Sequence, residues 1–143
     1  MADLSPRLRA IVDALPLRPG LRVLEIGCGP GAAVRVVAER VQPGGHVLAV
    51  DRSATAIAQV TSTATELIAS GALSARRVAA EDLELEPEEA PYDLAFAVRV
   101  GALDGRHPAA GDLALARLRA VLVPGGRLFI DGGDPLREIE LPG

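Results

Sequence analysis

"LRVLEIGCGPGAAVRVV", residues 21–37, places three glycines in a five-residue loop between two apolar runs. The first run, 21–26, is short, aliphatic and preceded by Gly20, and reads as a buried strand, β1. The second, 31–41, reads as a helix. Gly27, Gly29 and Gly31 therefore occupy a strand-to-helix turn. Glycine there permits positive φ and lets a ligand approach the backbone closely. Loops of this kind hold nucleotides, and the loop alone leaves the nucleotide open. With Ala32 it satisfies G-x-G-x-x-A, a form tolerated by dinucleotides. Glu25, two residues before the first glycine, argues otherwise, because a carboxylate there repels a pyrophosphate and attracts a cation.

Outward from the loop, strands and helices alternate. Ser5 and Pro6 make an N-cap and first helical residue, with Leu8, Ile11, Val12 and Leu15 at helical spacing. After the turn Pro43-Gly44-Gly45 comes strand β2 over 46–50. Ser53 caps a helix expected to run to about Ser70, with Gly71 at its C′ position. A weaker strand, β3, is expected over 75–80, followed by an acidic loop over 81–93. Strand β4 covers 92–100. Asp112 is expected to cap a helix bearing Leu115, Leu118 and Leu122. Pro124-Gly125-Gly126 breaks that helix before strand β5 over 127–131. This alternation predicts an α/β fold in three layers, a parallel sheet with helices on both faces. The 143 residues suit a single domain, 1–143. Ligands in such sheets bind beyond the carboxyl ends of the strands. The positions to inspect are 25–31, Asp51 and Arg52, Glu81-Asp82, Arg99 onward, and Asp131 onward.

Composition narrows the partners. Apolar residues make up 49% of the chain and charged residues 24%, an ordinary globular balance. The net charge of −4 disfavours nucleic acid, which needs a basic face. No apolar run approaches the roughly 20 residues of a membrane span, and the N-terminus lacks signal-peptide character, so a cytoplasmic location is expected. The single cysteine, Cys28, excludes an internal disulfide and a cysteine-cluster metal site. All 15 basic residues are arginine, which reflects a GC-rich, bacterial genome rather than a function.

"VLEIGCGPG", "VLAVDRS", "AAEDL", "YDLAFAVRV" and "LVPGGRLFI", in this order, resemble the class I S-adenosylmethionine-dependent methyltransferases across residues 20–131. The resemblance implies a Rossmann-like sheet in the order 3-2-1-4-5, with S-adenosyl-L-methionine as cofactor and no metal. It implies that the Gly27–Gly31 loop, Cys28 included as a spacer, wraps the methionine part, and that Glu25 helps hold the methionine end. Asp51, with Arg52 beside it, would take the ribose hydroxyls. The Glu81-Asp82 turn would meet the adenine, with Asp82 the better candidate, and Arg99 would complete the cofactor contacts.

Methyl transfer from a sulfonium is a direct displacement, so a base is required only if the acceptor must lose a proton on attack. The segment after β4, 99–108, is where the family places acceptor contacts, and it holds Arg99, Asp104, Arg106 and His107. His107 is a weak candidate base, and its place before Pro108 fits a surface loop better. Asp131 and Asp134 either line the acceptor pocket or form a turn. The signature of the amino-methylating branch acting on DNA bases or glutamine is absent from β4, which favours a small-molecule acceptor. The family pattern normally continues past β5 with a helix and a β-hairpin, most of which is missing here. The expected consequence is an exposed β5 edge, open to pairing with the tail "REIEL" (137–141) or to a homodimer. Two other readings stay open: a non-catalytic cofactor-binding module that supports a partner protein, and a NAD(P)-dependent oxidoreductase.

Overall fold

The structure, a computed structural model, describes residues 4–142; residues 1–3 and 143 of the expected domain lie outside the described residues. Helix α1 (Pro6–Ala14) starts where expected, with the Ser5 hydroxyl accepting from the Leu8 N–H at 3.2 Å. Then come β1 (Arg22–Ile26), α2 (Ala32–Arg40) and β2 (His46–Asp51). They are followed by α3 (Ala54–Thr63), α4 (Thr65–Ala69), β3 (Leu73–Arg77), β4 (Tyr92–Ala97), α5 (Pro108–Val121), β5 (Leu122–Asp131) and β6 (Leu136–Ile139). The sheet order is β3-β2-β1-β4-β5-β6. The first five strands are parallel and β6 runs antiparallel to β5.

β1 is central, hydrogen-bonded to β2 on one side and β4 on the other. Successive residues serve opposite faces, so both faces are buried and each inner strand is apolar throughout. Val23, Val47, Leu94 and Phe96 pack with Val12, Val34, Val37 and Val60 from α1, α2 and α3. Leu24, Leu48, Ala95 and Leu128 pack with Ala114, Leu118 and Val121 from α5. Two aliphatic cores thus clamp one sheet. This is the three-layer architecture read from the sequence, and it holds the carboxyl ends of β1, β2 and β4 in one row.

Several boundaries differ from the sequence reading. The helix after Ser53 breaks at Ala64 instead of continuing to Ser70. Thr61 and Thr63 each donate a side-chain hydrogen bond back to a carbonyl one turn earlier, at 2.8 Å, which competes with continued helix. Gly71 does close α4 in the left-handed conformation, φ +83°, with Ala72 N–H bonded to Leu67 carbonyl. β3 begins directly after this cap, earlier than the expected 75–80. α5 starts at Pro108 rather than after Asp112, because proline pre-sets the first turn. Gly111 lies inside that turn, where a Cβ would sit 2.5 Å from the Ala102 carbonyl oxygen.

The largest correction concerns β5. It begins at Leu122, opposite Tyr92, and pairing resumes at Arg127 opposite Leu94. Pro124-Gly125-Gly126 is therefore a bulge within the strand, with Gly125 at φ +81°, and not a break before it. Beyond β5 the chain turns back and β6 pairs with it, Leu128 facing Ile139 and Asp131 facing Leu136. The sheet is mixed, not wholly parallel, and of the outcomes expected for the β5 edge it is pairing with the chain's own tail that occurs.

Leu118 is fully buried on α5, whereas Leu113 on the same helix is 59% exposed. Leu118→Ala is expected to lower unfolding free energy by about 2–5 kcal/mol, from lost burial plus cavity. Leu113→Ala should change it by less than about 0.5 kcal/mol. Urea denaturation of the two variants checks this pair.

Candidate functional site

The β1–α2 turn is built from three left-handed glycines, with φ of +69° at Gly27, +56° at Gly29 and +92° at Gly31. Two are also sterically required. A Cβ on Gly27 would lie 2.7 Å from Val100 Cγ2, and one on Gly31 would lie 2.9 Å from Val60 Cγ2. Gly29 faces open space instead. The Gly27 and Cys28 N–H groups both reach the Val50 carbonyl, which ties the loop to the end of β2.

Asp51 terminates β2 and fastens the loop from the other side. Its Oδ2 accepts from the Gly29 N–H and its Oδ1 from the Ser53 N–H, each at 2.9 Å. A carboxylate has about four acceptor positions, so two remain for a ligand.

Glu25 lies in β1 itself, between Ala49 and Phe96. It is 3% exposed and is the one buried charged residue among those described. Its Oε1 has no hydrogen-bond partner. Burial first, and the charge of Asp51 second, push its carboxyl well above the ordinary 4.5. An unpartnered buried carboxylate is costly unless a cation arrives to meet it. Beside it, Cys28 is buried, and burial together with Glu25 and Asp51 pushes its thiol up to about 12. At that value it is no nucleophile.

Two cavities meet at this loop. One, of about 550 Å³, is walled by α1 and contains Arg7, Leu8, Glu25, Cys28 and Val98. The other, of about 540 Å³, contains Asp51, Val78, Ala80, Glu81 and His107. Gly27 and Arg99 line both. Of the residues singled out from sequence, Arg52 also lines the second cavity. Gly29 and Gly31 line neither and act by shaping the turn. Asp82 is exposed and lines neither; Glu81, its neighbour in the short 3-10 turn Ala80–Asp82, takes the wall position. His107 is the N-cap of α5, its imidazole packed over Gly101 on the Asp51 side, away from Glu25.

Arg7 was not legible as a site residue. Its guanidinium reaches Asp131 Oδ2 at 2.8 Å across 124 residues of sequence. Asp131 Oδ1 accepts from the Arg99 N–H at 3.0 Å, and Arg106 Nη2 donates to the Arg99 carbonyl at 3.2 Å. Arg99 is thereby held at φ +58°, a left-handed conformation unusual for a side-chain-bearing residue. Asp131 is thus neither a bare turn residue nor a cavity wall: it anchors both.

The raised carboxyl of Glu25 sets a pH dependence. The unfolded chain ionises it at the ordinary value, whereas the fold favours its protonated form. That stabilisation is complete below about pH 4.5 and is lost as pH rises through the raised folded value. The ligand-free protein should therefore lose stability as pH rises above about 4.5, until the group is ionised in the fold as well, and Glu25→Gln should reduce that slope and raise the melting temperature at neutral pH. Thermal melts across pH check both.

The methyltransferase-domain family matches residues 23–126. A protein-L-isoaspartate O-methyltransferase of Methylorubrum populi is 36% identical over 125 residues, covering 87% of this chain and 51% of the relative. Nocamycin O-methyltransferase of Saccharothrix syringae is 32% identical over 130 residues, covering 91% of this chain and 44% of the relative. Among solved structures, a SAM-dependent methyltransferase from Aquifex aeolicus superposes with a TM-score of 0.68 at 18% identity, covering 86% of this chain and 62% of that one. The chain spans about half the length of these two curated relatives. Among the described residues no helix is long and apolar enough to cross a membrane. With this match over most of its length, on a sheet and loop of the same kind, the chain belongs to the class I S-adenosylmethionine-dependent methyltransferase family.

Proposed function

We propose that this chain is the cofactor-binding and catalytic core of an S-adenosylmethionine-dependent methyltransferase whose acceptor is a small molecule. The observation that carries the reading is Glu25, a buried carboxylate with an unpartnered oxygen at the foot of a glycine turn. The cofactor fits this donor set. Its ammonium supplies the cation that Glu25 lacks, and its ribose diol matches the two acceptor positions left on Asp51. Val78, Ala79 and Ala80 offer an apolar wall for a purine, with Glu81 at its margin. A dinucleotide fits less well, since its pyrophosphate would meet Glu25 rather than a cation.

When bound, S-adenosylmethionine supplies a methyl group already activated by its sulfonium. The protein's part is then alignment and exclusion of water. Glu25 fixes the amino-acid end, Asp51 fixes the ribose, and the glycine turn lets the backbone lie against the ligand. Val98 and the apolar face of α1, through Leu8 and Ile11, shield the Glu25 side. The acceptor enters the same cavity. The two O-methyltransferase relatives support oxygen as the receiving atom.

One observation favours a second reading, a cofactor-binding module without turnover. The Glu25-side cavity holds no histidine, and its one thiol is held protonated. Release of S-adenosylhomocysteine over a panel of small acceptors separates the two: turnover supports the enzyme, whereas tight cofactor binding with no turnover on any acceptor supports the module.

Calorimetry with S-adenosylmethionine should give micromolar affinity, about −8 kcal/mol, and no heat with NAD(P). Asp51→Ala should weaken that binding by roughly tenfold or more, as expected for losing hydrogen bonds to a charged acceptor. Retained affinity in this variant would remove the ribose assignment.

A further inference from the structure

The charge at the junction of the two cavities identifies the kind of acceptor. Gly27 and Arg99 are the residues the cavities share. If the methionine half of the cofactor lies by Glu25 and the adenosyl half by Asp51, the sulfonium that joins them passes between Gly27 and Arg99. This step rests on the proposed cofactor reading. A guanidinium beside a sulfonium is a pair of like charges, and such a pair is unfavourable unless an anion lies between.

Two of the other nearby cations are already neutralised, and Arg52 lines only the Asp51-side cavity, away from the junction. Arg7 is paired with Asp131, and Arg106 makes a two-pronged pair with Asp104, Nε to the two carboxylate oxygens at 2.9 and 2.8 Å. The Arg99 guanidinium has no carboxylate partner among the described residues. Its backbone is nevertheless fixed at both ends, by Asp131 at its N–H and by Arg106 at its carbonyl. A strained, doubly tethered arginine with a free cationic head is a device for presenting charge at one place. The Glu25-side cavity offers no group suited to take a proton, because Glu25 is committed to the cofactor's ammonium and the Cys28 thiol stays protonated, while His107 lines only the other cavity.

We propose that the acceptor is a small carboxylic acid, bound as its carboxylate by Arg99 and methylated on oxygen. An oxygen lone pair of the carboxylate forms the bond to the methyl carbon. The carbon–sulfur bond breaks, and its electron pair stays on sulfur as a neutral thioether. No proton is released, so no base is required. Arg99 both recognises the anion and holds it against the methyl group, while Asp131 and Arg106 are positioning residues for Arg99. The neutral ester formed has lost the charge that Arg99 holds, which favours its release.

The test uses the full chain loaded with S-adenosylhomocysteine, in wild-type, Arg99→Gln and Arg99→Lys forms. Glutamine and lysine meet the same backbone strain as arginine, so the fold is not the variable. S-adenosylhomocysteine affinity is measured first. Then benzoate, phenylacetate and acetate are titrated against their neutral amides, with amide-resolved NMR as the readout. The expected result is that at least one carboxylate binds and its amide does not. Arg99→Gln should weaken that binding about tenfold, Arg99→Lys should restore part of it, and S-adenosylhomocysteine affinity should stay within about threefold. Loss of S-adenosylhomocysteine affinity in Arg99→Gln overturns the proposal and makes Arg99 a cofactor ligand. Equal behaviour of acids and amides, including no binding by either, overturns it as well. No binding of S-adenosylhomocysteine by the wild type brings down the cofactor reading itself, a distinct outcome.

Discussion

The site depends on one electrostatic mismatch: a carboxylate placed in the middle strand of a hydrophobic sheet without a cation to match it. Glu25 is flanked along the sheet by Ala49 and Phe96, and among the described residues nothing hydrogen-bonds to its Oε1. A partner from within the protein would have made the strand more stable and the cavity useless. The mismatch reserves that space for a positive group brought from outside. The glycine turn, the Asp51 tether and the wall of α1 surround the cavity onto which that carboxyl opens. Under the proposed function, binding energy is concentrated at the amino-acid end, while the reacting end is left to be defined by the acceptor.

The core of this arrangement was legible in the sequence because it is local. β1, the glycine turn, α2 and Asp51 fall within about thirty residues, and the aliphatic periods and turn residues there agree with one another. The order of strands and the two faces of the sheet follow from the same alternation. The misreadings arose where one local signal was overruled by another. Asp112 resembles a helix cap, yet Pro108 starts α5 a turn earlier and Gly111 lets it press on the Ala102 carbonyl. Pro124-Gly125-Gly126 resembles a terminator, yet pairing on either side with Tyr92 and Leu94 carries the strand through it. Glu81 and Asp82 are adjacent acids, and the pitch of a single 3-10 turn decides that Glu81 faces the cavity. The contacts of Arg7 and Asp131 had no sequence signal, because nothing in either segment refers to the other.

The tail illustrates how a fold solves an edge problem with what it has. A bare β5 would offer a row of unpaired backbone groups. β6 covers it over four residues, with Arg127 and Glu138 paired across the hairpin at 2.7 Å. The new outer edge is short and carries Arg137 and Glu138, both exposed, which discourages further strand addition.

The Arg7–Asp131 pair joins the first helix to the end of the fifth strand, and the wall it closes borders the reserved carboxylate. Half-exposed at Arg7, this pair is open to screening by salt, which weakens such surface pairs. The base of the seat is tied differently, by backbone hydrogen bonds from Gly27 and Cys28 to Val50. Rising ionic strength should therefore loosen the side wall while leaving the base in place.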